Sequence, residues 1–181
     1  MKIDYSKLRT GDIVSIASFT LFGAIIRKIT GRKRRFFKGR KTTATHTAIV
    51  VTFGGQKLIA EMTSKGLQLN SLEKYVGKRR RKIVEVSRST ELDKKGREEI
   101  RKKISLDLRK GLEYDWAGDI AFLSKRVKEN PKKFFCSEYA SYLLKFYGGV
   151  NITENKSKVS PDDLAVVSSS VPSLKRIDFI L

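Results

Sequence analysis

The chain has 181 residues, and its 39 Lys and Arg against 19 Asp and Glu give a formal net charge of +20. Its length suits one domain with a real core, and no Pro/Ser-rich linker, repeat or low-complexity tract divides residues 1–181. The single cysteine excludes an intramolecular disulfide, and one histidine beside it leaves a zinc site short of ligands, so neither a metal nor a cofactor is expected.

The N-terminus lacks the apolar core of a signal peptide, and the apolar run 13–26 is shorter than the ~20 residues that a membrane span needs. A cytoplasmic protein is the expectation, with a virion or release by another route left open. Gly11-Asp12-Ile13-Val14 leads into a buried strand, and Phe22–Ile29, closed by Thr30-Gly31, reads as a helix. Its face of Leu21, Phe22, Ile25, Ile26 and Ile29 packs on the core or, beside Arg27 and Lys28, lies on a membrane surface.

Between Arg27 and Lys41 there are nine Lys or Arg and no acid. Arg32, Lys33, Arg34, Arg35, Lys38, Arg40 and Lys41, with Arg79, Arg80 and Arg81 in a second cluster, form the electrostatic footprint of a polyanion partner. Nucleic acid, an anionic lipid surface and an anionic cell-wall polymer all fit, as does a merely solvated basic face. Phe36-Phe37 would stack on bases or insert into lipid. No nucleic-acid readout motif accompanies the charge.

Residues 45–53 and 57–62 are β-rich runs flanking Gly54-Gly55, a pair that supports a tight hairpin turn. A turn centred on the glycines places His46 opposite Thr63 and Ala48 opposite Glu61. Glu61 then shares a face with His46 on the diagonal, about 7–8 Å away at Cα, close enough for a carboxylate to orient an imidazole. A slip of one residue would turn Glu61 to the other face. Taken alone, His46 reads as an ordinary strand-edge residue and Glu61 as a solvated one.

A strand around Lys82–Val86 follows, then a charged helix from about Thr90 to Lys110. Leu92, Ile100, Ile104 and Leu108 recur on its core face, Thr90 is the expected cap, and Asp93 stands three residues on. Asp115–Val127 reads as a short helix. Cys136 follows Pro131 and two aromatics, and Ala140, Leu143, Leu144 and Tyr147 then recur at helical spacing until Gly148-Gly149. Cys136 therefore opens a helix, where unpaired backbone N–H groups and the positive dipole end favour a thiolate and would stabilise an oxyanion. A small buried hydrophobe is the competing reading of a lone cysteine. Lys175–Leu181 reads as a last strand. The elements add up to an α+β domain with a small antiparallel sheet packed against helices.

Six motifs in order carry a resemblance: Gly11-Asp12-Ile13-Val14, Thr45-His46-Thr47-Ala48-Ile49-Val50, Ala60-Glu61 followed by Gly66, Tyr114-Asp115, Cys136-Ser137-Glu138, and Ser160-Pro161-Asp162-Asp163-Leu164. The chain resembles the circularly permuted branch of the NlpC-like, papain-fold cysteine hydrolases, the YiiX/YaeF-like group related to lecithin:retinol acyltransferase proteins. The resemblance implies a papain-like sheet or partial barrel against helices. It also implies a nucleophile at Cys136, a general base at His46, an orienting residue at Glu61, and an oxyanion or pocket role for Tyr114. A peptide, a peptidoglycan-type amide or a lipid acyl group would be the substrate, with hydrolysis or acyl transfer through a thioester. The chain departs from the pattern at about 31–45, where a long basic insertion precedes the histidine strand.

Overall fold

A computed structural model describes residues 4–18, 44–75, 81–114, 133–152, 159, 161–164 and 173–177. Among them lie eight strands: β1 (Ile13–Ser18), β2 (His46–Phe53), β3 (Gln56–Thr63), β4 (Gly66–Asn70), β5 (Arg81–Ser89), β6 (Glu113–Tyr114), β7 (Lys133–Phe134) and β8 (Leu174–Ile177). Two α-helices accompany them, α1 (Lys94–Lys110) and α2 (Cys136–Phe146). Six strands form one sheet in the order β4-β3-β2-β1-β5-β8, antiparallel at every pairing, while β6 and β7 make a short parallel pair. The α+β expectation therefore holds.

The β2–β3 hairpin adopts the expected register, with Phe53 opposite Gln56 and Ile49 opposite Ala60. Gly54 and Gly55 turn it with φ of 54° and 80°, a conformation that costs side-chain-bearing residues energy. Alternation along the strands then sorts residues onto two faces. Ile13, Ile49, Val51, Ala60 and Met62 pack with Ile100, Ile104, Cys136, Tyr139, Leu143 and Leu144 into the helical-side core. Val14, Ile16, Ala48, Val50, Ile59 and Val86 point the other way and pack with Leu8, Leu72 and Tyr75.

The Gly11-Asp12 pair anchors the start of β1. Gly11 has a φ of 91° and donates its N–H to the Val50 carbonyl at 2.9 Å. Asp12, 1% exposed, accepts from Arg88 Nε at 2.7 Å, from Arg88 Nη2 at 2.8 Å and from the Arg9 N–H at 2.7 Å. This bidentate arrangement satisfies a carboxylate that would be costly to bury alone.

Helix α1 begins later than its sequence suggests. Asp93, not Thr90, is the cap, accepting the Gly96 N–H at 2.6 Å, and Gly111 closes the helix in the left-handed conformation. Leu92 is 3% exposed, so the chain before the helix is drawn into the core, and Thr90 bonds the Ser173 carbonyl beside β8 instead. Ile100 and Ile104 are buried as their spacing predicts, and Leu108 is partly so. Gly96 lets α1 approach the end of α2, since a Cβ there would lie 2.7 Å from the Gly148 carbonyl oxygen.

Three hydroxyls of the sheet break the usual rule that buried polar groups are paired. Among the described residues, the side-chain oxygens of Ser15 and Ser87 on β1 and β5, and of Thr47 on β2, meet no hydrogen-bond partner. Each such group costs about 1–3 kcal/mol when nothing satisfies it.

The β5 strand extends beyond its expected span, and β8 is found at the start of the expected final strand. The expected helices over 22–29 and 115–127 lie outside the described residues.

Candidate active site

Cys136 is the first residue of α2 and is 6% exposed. Phe135 before it is extended, with φ −94° and ψ 170°, so the chain turns into the helix at the cysteine as its spacing predicts. Two bonds fix this start. The Phe135 N–H reaches Glu138 Oε2 at 3.4 Å, and Ser137 Oγ donates to the Val159 carbonyl at 2.5 Å, tying the helix to the Pro161–Leu164 turn. The backbone N–H groups of a first helical turn have no intrahelical acceptor, so those at Cys136 and Ser137 suit a developing oxyanion.

His46 opens β2 and is the hub. Its Nε2 lies 2.7 Å from Glu61 Oε2, which leaves Nδ1 as the ring nitrogen for the Cys136 thiol, with which the imidazole has both a hydrogen bond and a charge interaction. Burial alone would lower the imidazole pKa. Cys136 and then Glu61 outweigh it, raising the value to about 10 and favouring an imidazolium beside the Glu61 carboxylate. The ring keeps 21% of its side-chain surface exposed, so one edge faces outward.

The hairpin register puts His46 with Glu61 on the face of Ala48 and Val50, whereas Cys136 belongs to the helical-side core. His46, as the first residue of its strand, reaches both at the end of the sheet. The dyad thus sits where the two cores meet.

Glu61 is 1% exposed and more fully held than the sequence suggests. Besides His46, its carboxylate accepts from Asn70 Nδ2 at 2.7 Å and from the Tyr75 hydroxyl at 2.6 Å, with Lys74 Nζ at 3.5 Å. Burial pushes its pKa up, but the hydrogen bond and charge of His46, then Tyr75 and Lys74, overcome this and hold it at about 2. Asn70, Lys74 and Tyr75 were not among the residues singled out from sequence. Asn70 was recoverable: Gly66 marks the turn after β3, and a strand continued to Asn70 sets it opposite Ile59, on the face of Glu61. Lys74 and Tyr75 stand in a short 3-10 turn, Leu72–Tyr75, which has no periodic signature.

Tyr114 lies on β6, paired in parallel with Phe134, so its backbone runs beside the segment entering Cys136. Its side chain is outside the described residues, as are Arg32, Lys33, Arg34, Arg35, Lys38, Arg40, Lys41, Arg79 and Arg80. Arg81 is the first residue of β5, and its side chain likewise lies outside them. Among the described residues no helix is long and apolar enough to cross a membrane.

No protein-family model matches the chain, and no curated protein matches it. Among solved structures it is similar to the crystal structure of the metalloprotein yiiX from Escherichia coli O157:H7, with a TM-score of 0.62 over 96% of this chain and 98% of that chain. At 13% identity the likeness is one of fold.

Proposed function

We propose that this protein is a cysteine-dependent hydrolase or acyltransferase acting on an amide or ester through a thioester at Cys136. The observation that carries the reading is His46 held between the Cys136 thiol and the buried Glu61 carboxylate. A nucleophile, a base and a group orienting the base, each on a different element, form the constellation of covalent acyl transfer. The histidine hairpin precedes the cysteine helix in the chain, the order of the permuted papain-like hydrolases, and the yiiX-like fold supports that relation.

In the mechanism the Cys136 proton passes to His46, or already rests there as an ion pair, and Sγ attacks the carbonyl carbon. The first-turn N–H groups of α2 receive the oxyanion, each such donor contributing ~3 kcal/mol in comparable sites. Collapse expels the amine or alcohol, protonated by the imidazolium. Water or another acceptor, deprotonated by His46, then releases the acyl group and regenerates the thiol. Glu61 keeps Nε2 engaged, so that Nδ1 faces the sulfur throughout. A peptide or peptidoglycan-type amide is the first substrate class and a lipid acyl group the second.

The yiiX structure is described as that of a metalloprotein. Among the described residues of this chain no three His, Cys, Asp or Glu side chains are grouped to hold a metal ion, so no step is routed through one. The net charge of +20 favours a second role, binding to nucleic acid or an anionic membrane, which the same domain would perform without catalysis.

The test is alkylation of Cys136 by iodoacetamide from pH 5 to 10, in the native protein and in His46→Ala, alongside turnover of activated esters with Cys136→Ala as control. Fast alkylation at low pH that disappears in His46→Ala, with turnover abolished in Cys136→Ala, is the expected result. Identical alkylation profiles in the two proteins, or turnover surviving in Cys136→Ala, overturn the reading. Binding of DNA, RNA or anionic vesicles that weakens steeply with salt would support the second role.

A further inference from the structure

Four ionisable side chains stand in a row across the site, one from each of four elements. Cys136 on α2 hydrogen-bonds His46 on β2, His46 Nε2 lies 2.7 Å from Glu61 Oε2 on β3, and Glu61 Oε1 lies 3.5 Å from Lys74 Nζ on the Leu72–Tyr75 turn. With the Cys136 proton resting on His46, the row alternates in sign from sulfur to ammonium. Cys136 and Glu61 bear on the charge of His46, while His46, Tyr75 and Lys74 bear on that of Glu61. Lys74 is thus the outer member of the row, one carboxylate away from the imidazole.

Lys74 differs from the other partners of Glu61 in what it contributes. Tyr75 and Asn70 donate at 2.6 and 2.7 Å and are neutral, so together with His46 they already fix the carboxylate's orientation. The Lys74 ammonium, at 3.5 Å, stands beyond the about 2.7–2.9 Å of a charge-assisted hydrogen bond, and what it adds there is charge. Its own turn keeps it in place: Leu72 and Tyr75 are 0% and 1% exposed, and the ammonium lies 5.6 Å from the centre of the Tyr75 ring. Glu73, next to it in the chain, has its carboxylate engaged by the Tyr5 and Ser71 hydroxyls. Solvent reaches Lys74 on one side, which weakens its field without abolishing it.

A buried carboxylate with no cation behind it holds an imidazolium tightly, and a tightly held proton is slow to leave. We infer that Lys74 is a positioning residue for acyl transfer that acts through Glu61: by offsetting part of the carboxylate's charge, it lets Glu61 orient His46 without trapping the imidazolium proton. The inference rests on the dyad of Cys136 and His46 proposed above. In the step concerned, the bond from the acyl carbon to the leaving oxygen or nitrogen breaks, its electron pair stays with the leaving atom, and that atom takes the Nδ1 proton. His46 becomes neutral, and Sγ keeps the acyl group as a thioester. Lys74 takes no part in the bond making and sets how readily that proton departs.

His46 is the only histidine of the chain, so its ring Cε1–H gives a single resonance to follow by proton–carbon NMR from pH 5 to 11. The native protein, Lys74→Met, Lys74→Arg and Lys95→Met are titrated. Lys95 lies in the first turn of α1, beside the end of α2 opposite Cys136, and its loss controls for net charge. Lys74→Met should raise the midpoint by about 0.3–1 pH unit, the effect of one partly solvated charge behind the carboxylate. Lys74→Arg, which keeps the charge, and Lys95→Met should both stay within about 0.2 unit of the native value. At pH 7 the ratio of kcat/KM for phenyl acetate to that for p-nitrophenyl acetate should fall about 2- to 3-fold in Lys74→Met, because the poorer leaving group depends more on the acid. An unchanged midpoint in Lys74→Met, or an equal rise in Lys74→Arg or Lys95→Met, overturns the inference while the dyad stands. A raised midpoint with an unchanged ratio of the two esters overturns it equally. A native midpoint at the ordinary 6.5, with Cys136 alkylated alike in the native protein and His46→Ala, removes the dyad and the inference together.

Discussion

The Tyr75 hydroxyl lies 2.6 Å from both carboxylate oxygens of Glu61, bridging the group that orients His46. Tyr75 is 1% exposed and joins the core behind the sheet, so the bridge is as rigid as the fold around it. With Asn70 on one oxygen and His46 on the other, the carboxylate cannot rotate without losing a bond.

Replacing Tyr75 by Phe should raise the Glu61 pKa from about 2 toward its ordinary value of 4.5, since a donor to the ionised form is lost. The acid limb of any pH–rate profile should move to higher pH, while KM stays near its native value. A bond to a charged group contributes about 1.5–3 kcal/mol, so urea unfolding at pH 7 should show a loss in that range. An acid limb that stays in place would show that Tyr75 only fills space.

Glu61→Gln removes the charge while keeping the shape, and its effect should depend on pH in a definite direction. His46 has its pKa raised from 6.5 to about 10, so its contribution to stability is complete below 6.5 and is lost as pH rises through 10. Glu61 has its pKa lowered from 4.5 to about 2, so its contribution is complete above 4.5 and is lost as pH falls through 2. The pair therefore stabilises most between pH 4.5 and 6.5. The native protein should exceed Glu61→Gln by about 3 kcal/mol in that window, a gap that narrows toward both extremes. Denaturant titrations from pH 3 to 10 measure it, and a gap independent of pH would contradict the ion pair.

His46→Ala should lower kcat by about 10²–10⁴-fold, the range for losing a positioned acid–base group, with little change in KM. Steady-state kinetics on an activated ester provides the check. A rise in KM with kcat little changed would point instead to a binding role for the imidazole.

Two glycines in turns should respond very differently to alanine. Gly66 has a φ of 86°, and a Cβ there would sit 2.4 Å from the Leu112 carbonyl oxygen, a backbone atom that cannot swing away. Gly55 has a φ of 80° but open space around it. Gly55→Ala should cost about 1 kcal/mol from backbone strain alone, and Gly66→Ala distinctly more. Thermal melts of the two variants side by side decide the order.

The parts of the fold and site legible in the sequence are those set by local periodicity. Gly54-Gly55 fixed the hairpin centre, and alternation then fixed which face Glu61 takes, so the His46–Glu61 bond followed from two glycines and a period of two. Apolar spacing likewise opened α2 at Cys136. The cap of α1 was misplaced because burial of Leu92, a tertiary effect, decided where the helix could begin. Tyr75 and Lys74 went unseen because a single 3-10 turn carries no repeating pattern, and their role depends on where that turn docks. The meeting of Cys136 with His46 was expected from chemistry and resemblance, not from spacing, since it joins elements distant in the chain.

The separation of His46 and Glu61 by only 15 positions within one hairpin divides the site into two pieces of unequal kinship. The acid–base piece is self-contained: a single turn brings its members together, and loop closure over so short a span has a small entropic cost. The nucleophile is a docked piece, carried on a helix whose start is pinned by the Val159 carbonyl and whose body rests on the sheet. Nothing in the contact between them depends on which is synthesised first. In connectivity terms the hairpin is a cassette and the helix its plug, so chain order is free to change while the geometry of sulfur, imidazole and carboxylate does not.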